Sequence, residues 1–69
     1  MKPYQGGEEM LKLKERRKEL GMTQGQLALK TGLAKGYISD LETGRRNNPS
    51  LAVMEKIAKA LKCKIGDIF

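Results

Sequence analysis

Two short helical patterns joined by a single glycine turn, in TQGQLALKTGLAKGYISDLETG at residues 23–44, constrain this chain more than any other feature. The first helix is announced by Thr23, whose side chain is suited to capping free amides, and by Gln26 three residues on, which completes a capping box. Met22 and Leu27 stand where a hydrophobic staple forms. Leu27, Ala28 and Thr31 share one face, and Gly32 is the residue best able to take the left-handed conformation that ends a helix. After a sharp turn at Gly32 and Leu33, a second helix is expected over residues 35–43. Its inner stripe is Ile38, Leu41 and Glu42, and its stop is Gly44.

The segment before this pair contains a misfit. Met10, Leu13, Arg17 and Leu20 recur at helical spacing over residues 8–20, so an arginine occupies a slot that the pattern reserves for apolar side chains. Glu42 does the same in its own helix. An unpaired buried charge is costly, so two charges of opposite sign on inward stripes are most simply satisfied by each other. An Arg17–Glu42 ion pair is therefore expected. The alternative lays the arginine stem on the core and keeps its head in water.

Residues 1–7, MKPYQGG, show no period and read as a flexible arm, which leaves 8–69 as the folded domain. Glu8 and Glu9 complement the dipole at the start of the first helix, and Gly21 ends it. After Gly44, RRNNP is a polar loop in which Arg45, Arg46, Asn47 and Asn48 are all able to donate to phosphate. Ser50 is the cap of a fourth helix, whose stripe of Leu51, Met54, Ile57, Ala58 and Leu61 is expected in the core. A final turn, IGDIF, brings Ile65, Ile68 and Phe69 to the chain's end. There they either close the core or form a dimer contact. The reading is all-α: five helices and no strands.

At 69 residues this is one small domain, of a size that buries only about 60% of its unfolded surface, and dimerisation is a natural remedy. The single cysteine permits no internal disulfide, and the absence of histidine removes the usual metal ligand. A reducing cytoplasm fits. No apolar run approaches the ~20 residues needed to span a bilayer, so no membrane is expected. Fourteen Lys and Arg against eight Asp and Glu give a net charge of +6, which favours a polyanionic partner. Catalysis has no foothold: there is no paired inward carboxylate, no phosphate-cradling glycine loop and no metal-ligand cluster. Cys63, between Lys62 and Lys64, reads as a small core residue. No cofactor, metal or small-molecule substrate is expected.

Thr23-Gln24, Leu27-Ala28, Gly32, Ile38-Ser39, Leu41-Glu42, Gly44, Pro49-Ser50 and Ala60-Leu61 together resemble the phage-repressor and Cro-like helix-turn-helix regulators, the xenobiotic-response-element type. The resemblance covers residues 10–69. It implies a compact five-helix bundle, the lambda-repressor-like DNA-binding domain, whose third helix enters the major groove. It also places Arg17 and Glu42 at the family's buried ion pair. Gln24 resembles the family glutamine that bonds a phosphate and braces the recognition helix, and Thr23 stands beside it at a helix N-terminus, where free amides attract an anion. Lys35 and Gly36 match positions that commonly read base edges, with Ser39, Asp40 and Thr43 further along the same face. Tyr37 resembles a tyrosine that packs beside the sugar-phosphate backbone.

Several positions depart from the family pattern. Ala34 replaces the usual Ser or Thr cap of the recognition helix, and Lys62 replaces a glycine often found after helix four. Gly36 has no side chain to read a base; it lets the helix approach more closely, at roughly 1 kcal/mol in helix propensity. Lys35 either bonds guanine O6 and N7 or contacts phosphate or solvent, and Asp40 either faces a cytosine amino group or is a polar surface residue. The function implied is sequence-specific binding of double-stranded DNA by a homodimer on an inverted repeat. The competing function is a protein-interaction module of the same fold, antitoxin-like or coactivator-like.

Overall fold

The computed structural model describes residues 6–46 and 48–69, with side chains from Lys12 onward except Asn47. Five helices follow in order: α1 (Gly6–Glu19), α2 (Gln24–Thr31), α3 (Lys35–Thr43), α4 (Leu51–Ala60) and α5 (Ile65–Ile68). No strand occurs among the described residues. Helix α1 begins two residues earlier than expected, so Gly6 and Gly7 belong to it and not to an arm. Residues 1–5 and the side chain of Met10, expected in the arm and the core respectively, lie outside the described residues.

The start of α2 is closed by the capping box. The Gln26 amide donates to Thr23 Oγ1 at 3.0 Å and the Thr23 amide to Gln26 Oε1 at 2.8 Å. Ser50 Oγ accepts from the Val53 amide at 3.3 Å and starts α4. Gly44, at φ +82°, ends α3 in the left-handed region, where a Cβ would crowd the backbone. Lys62 takes the same conformation after α4, at φ +56°, although it carries a side chain. The bonds around it explain why. The Lys62 amide donates to Lys59 O at 3.2 Å and the Cys63 amide to Ala58 O at 3.0 Å, the paired closure that terminates many helices. Arg16 reaches across from α1 and donates to Leu61 O at 3.0 Å and Lys62 O at 3.3 Å. Carbonyls left over at the helix end are thereby satisfied.

Helix α1 packs on α3 and α5, α2 on α3 and α4, and α4 on α5. Leu13, Leu27, Ile38, Leu41, Ile57, Leu61 and Ile68 are fully buried where these helices meet. Each contributes about 2 kcal/mol of apolar burial. The α4 stripe needs two corrections. Met54 is only half-buried, and Val53 rather than Met54 packs against the core. Ile57, Ala58 and Leu61 are buried, but Leu51 is 60% exposed. Apolar periodicity shows which face of a helix turns inward, not how far along the helix a neighbour extends.

Ile68 is 1% exposed and belongs to this chain's own core, so it is not surface for a second subunit. Ile65 and Phe69 are half-buried against that core.

Candidate nucleic-acid interface

The position of α3 is set by a buried charge pair. Arg17 Nε donates to Glu42 Oε2 at 2.6 Å and Arg17 Nη2 to Glu42 Oε1 at 3.0 Å. The two residues are 7% and 6% exposed. Arg17 Nη1 also donates to Met22 O at 2.7 Å, tying the α1–α2 turn to the pair. Gln24 Nε2 adds a third bond to the carboxylate, donating to Glu42 Oε1 at 3.0 Å. The pairing inferred from two misplaced charges is therefore present, with forked geometry. No buried side-chain polar atom is left without a partner among the described residues. Glu42 lifts the Arg17 pKa further above its usual value, chiefly through this hydrogen bond.

One network thus fixes three elements at once. Gln24, at the first position of α2, is held by the same carboxylate that anchors α3. One of its two amide hydrogens is engaged there, and the other remains available. Thr23 Oγ1 accepts from Gln26, which leaves its hydroxyl hydrogen free to donate outward.

The opposite face of α3 is open. Lys35, Gly36 and Thr43 are exposed, and Ser39 and Asp40 half-buried. Ala34 takes the N-cap position without a side-chain bond, as its alanine dictates. Its carbonyl accepts from the Tyr37 and Ile38 amides, and the Lys35 and Gly36 amides have no acceptor among the described residues. A Cβ built on Gly36 would meet nothing within 4 Å, so the fold does not require glycine there. Thr43 Oγ1 donates back to Asp40 O at 3.3 Å.

Beyond Gly44 the chain folds back on this face. The Arg46 amide donates to Asp40 O at 3.1 Å, and its guanidinium lies 5.0 Å from the centroid of the Tyr37 ring. Asp40 Oδ1 and Oδ2 lie 3.9 Å and 3.7 Å from Arg45 Nε and Arg46 Nε. At these distances, with the Arg45 side chain 80% exposed, the pairs orient the arginines more than they stabilise the fold. Asn48 is exposed at the edge of the same cluster, and Asn47 lies outside the described residues.

Gln24 thus flanks α3 through the Glu42 network, with Thr23 just before it in the α2 capping box, and Tyr37, Arg45, Arg46 and Asn48 gather beyond the outer face of α3. Asp40's contacts with Arg45 and Arg46 were missed from the sequence, although their spacing of five and six residues across a helix stop is the signal that brings a chain back on itself. Arg16, which no sequence pattern singles out, closes the end of α4 through its bonds to Leu61 O and Lys62 O.

Comparison with known proteins agrees with this architecture. A family model described as helix-turn-helix matches residues 13–68. A regulator of Methanothermobacter thermautotrophicus, itself uncharacterized, is 47% identical over 58 residues, 83% of each chain. The transcriptional regulator SinR of Bacillus subtilis is 37% identical over 54 residues, which are 78% of this chain and 49% of SinR. The chain spans about half or less of the length of SinR and of the phage phi105 immunity repressor. Among solved structures, the restriction-modification controller protein C.AhdI of Aeromonas hydrophila superposes with a TM-score of 0.85 at 33% identity, over 91% of this chain and 94% of that one. SinR, described as the master regulator for biofilm formation and solved in complex with DNA, superposes with a TM-score of 0.83 at 33% identity, over 87% and 95%. The chain belongs to the helix-turn-helix family of Cro- and phage-repressor-like transcriptional regulators.

Proposed function

We propose that this chain binds double-stranded DNA sequence-specifically, as a homodimer on an inverted repeat, and thereby regulates transcription. The observation that carries this is the shared Glu42 network. It makes α3 and the N-terminus of α2 one rigid unit, so a phosphate held at Gln24 fixes where Lys35, Gly36, Ser39 and Thr43 stand against base edges. Arg45, Arg46, Asn47 and Asn48 supply phosphate contacts on the far side of the groove, with Tyr37 packed beneath Arg46. Asp40 steers those arginines, and it meets a base edge only where a cytosine amino group comes within reach. The DNA-bound form of SinR supports the same use of the fold here. Ile65 and Phe69, half-buried at the C-terminal end, are the proposed dimer contact. Two recognition helices then enter successive major grooves about 34 Å apart. The chemistry is binding alone, with no bond made or broken.

A salt titration against a random-sequence duplex tests the reading. Log affinity is expected to fall linearly with log salt, with a slope of about −0.9 for each phosphate neutralised. Duplexes selected from a random pool are then expected to carry a two-fold symmetric motif with half-sites about one helical turn apart. Absence of duplex binding at low salt, or binding that ignores salt, would remove the proposal.

A further inference from the structure

Leu29 is the one large apolar side chain of α2 that the core does not take. It is 86% exposed, two residues from the fully buried Leu27 and therefore on the opposite side of the helix. It does not stand alone. Leu20 and Met22, half-buried in the α1–α2 turn, line one shallow groove with it, and Gln26, Lys30 and Lys62 form the rim. Lys30 and Lys62 also line an adjoining groove with Lys56 and Lys59. The ion pairs among the described residues are all made by arginines, so none of these four lysines is neutralised there. No acidic residue lines either groove, and of the four lysines only Lys62 also borders carboxylates, those of Glu15, Glu19 and Asp67 in a third groove.

Lys30 lies in the last turn of α2 and Lys59 in the last turn of α4, and Lys62 follows α4 by two residues, all where cations complement the helix dipoles. That accounts for three of the lysines. It leaves Lys56, in the middle of α4, and it leaves Leu29.

We infer that this face is a second binding surface, for an acidic amphipathic helix of a partner protein. The apolar floor of Leu20, Met22 and Leu29 accepts the partner's apolar anchors, and the lysine rim pairs with its carboxylates. Charge decides between occupants. A second copy docking symmetrically would set Lys30 and Lys62 against their own equivalents on a chain of net charge +6. A duplex satisfies the lysines but leaves Leu29 against its phosphates, where an apolar side chain gains nothing. Only a ligand both acidic and apolar satisfies both parts. The surface shares no residue with the α3 face, so it recruits a protein without using the DNA-reading residues.

The test uses the full chain, labelled with 15N, and two synthetic amphipathic helices with the same leucine face, one flanked by glutamates and one by lysines. The glutamate peptide is expected to shift the amides of residues 20–22, 26–30 and 62 in a saturable manner, and the lysine peptide to leave them unmoved. Leu29→Ser is expected to weaken the glutamate peptide about tenfold, or about 1.4 kcal/mol. Lys30→Gln is expected to weaken it less and to flatten its salt dependence. Because Leu29 is so exposed, Leu29→Ser should keep the melting temperature and the random-duplex affinity of the parent, which separates this inference from the DNA reading. Shifts confined to α3 and the arginine loop would overturn it, because the peptide would then act only as a generic polyanion. An effect indifferent to Leu29→Ser, a random duplex that shifts the same amides, or a dimer broken by Leu29→Ser would each do so as well.

Discussion

Replacing Glu42 by alanine removes the acceptor of three hydrogen bonds at once: two from Arg17, at 2.6 and 3.0 Å, and one from Gln24 at 3.0 Å. The guanidinium keeps only its bond to Met22 O, at a site 7% exposed to solvent. Leaving a buried cation without its partner costs about 3–5 kcal/mol. A domain of this length has about 3–10 kcal/mol in total, so the variant should be close to unfolding at ambient temperature. At about 4–8 °C for each kcal/mol, the melting temperature should fall by about 12–40 °C.

Circular dichroism on heating, with urea titration for the free energy, measures this directly. The informative partner is the double replacement Arg17→Met with Glu42→Leu. It removes both charges and refills the space with apolar atoms, and its stability should return to within about 1–2 kcal/mol of the parent. Gln24 would then have lost its anchor, so duplex binding should stay impaired although the fold is restored. A Glu42→Ala melting temperature within a few degrees of the parent would refute the reasoning. So would a double variant that binds duplex like the parent.

Gly36→Ala places a methyl group in open space and should stabilise the domain by roughly 0.5–1 kcal/mol in urea denaturation, while weakening binding to a selected duplex if the helix backbone lies against the bases. Lys62→Gly relieves a left-handed conformation at a residue with a Cβ, and should raise stability by a few tenths to about 1 kcal/mol, read as a shifted urea midpoint at constant slope. Burial pushes the Cys63 thiol above the ordinary thiol range, against the pull of the nearby Arg16. The folded state therefore disfavours the thiolate. Its contribution to stability is full below the unfolded thiol's pKa and is lost as pH rises through the folded value. Alkylation of native protein should be slower than that of urea-unfolded protein at the same alkaline pH.

Much of the fold could be read from residues that admit few alternatives. Thr23 with Gln26 fixes the start of α2, glycines at 21, 32 and 44 fix three helix ends, and Ser50 fixes the start of α4. The Arg17–Glu42 pair was legible for the same reason, because a charge on an apolar stripe has few ways to be satisfied. What escaped was set by the space between elements. Leu51 obeys the α4 period yet finds no neighbour to cover it, and Leu29 escapes notice because a single off-stripe leucine is ordinary in a sequence. Asp40 looked like a base reader or a plain surface group because its partners lie across a turn, where helical periodicity carries no information. Arg16 was hidden differently: its acceptors are backbone carbonyls, which no residue type advertises.

The proposed function assigns base reading to the outer face of α3 and phosphate holding to the arginine loop. Affinities of the parent, Lys35→Ala and Arg45→Ala measured across one library of duplexes separate the two roles. Lys35→Ala should lose about 1–3 kcal/mol of discrimination at one or two base pairs and leave other positions unchanged. Arg45→Ala should weaken every duplex alike and make the salt slope shallower by about one unit. If both variants scale all affinities by one common factor, Lys35 reads nothing and the assignment of this face is wrong.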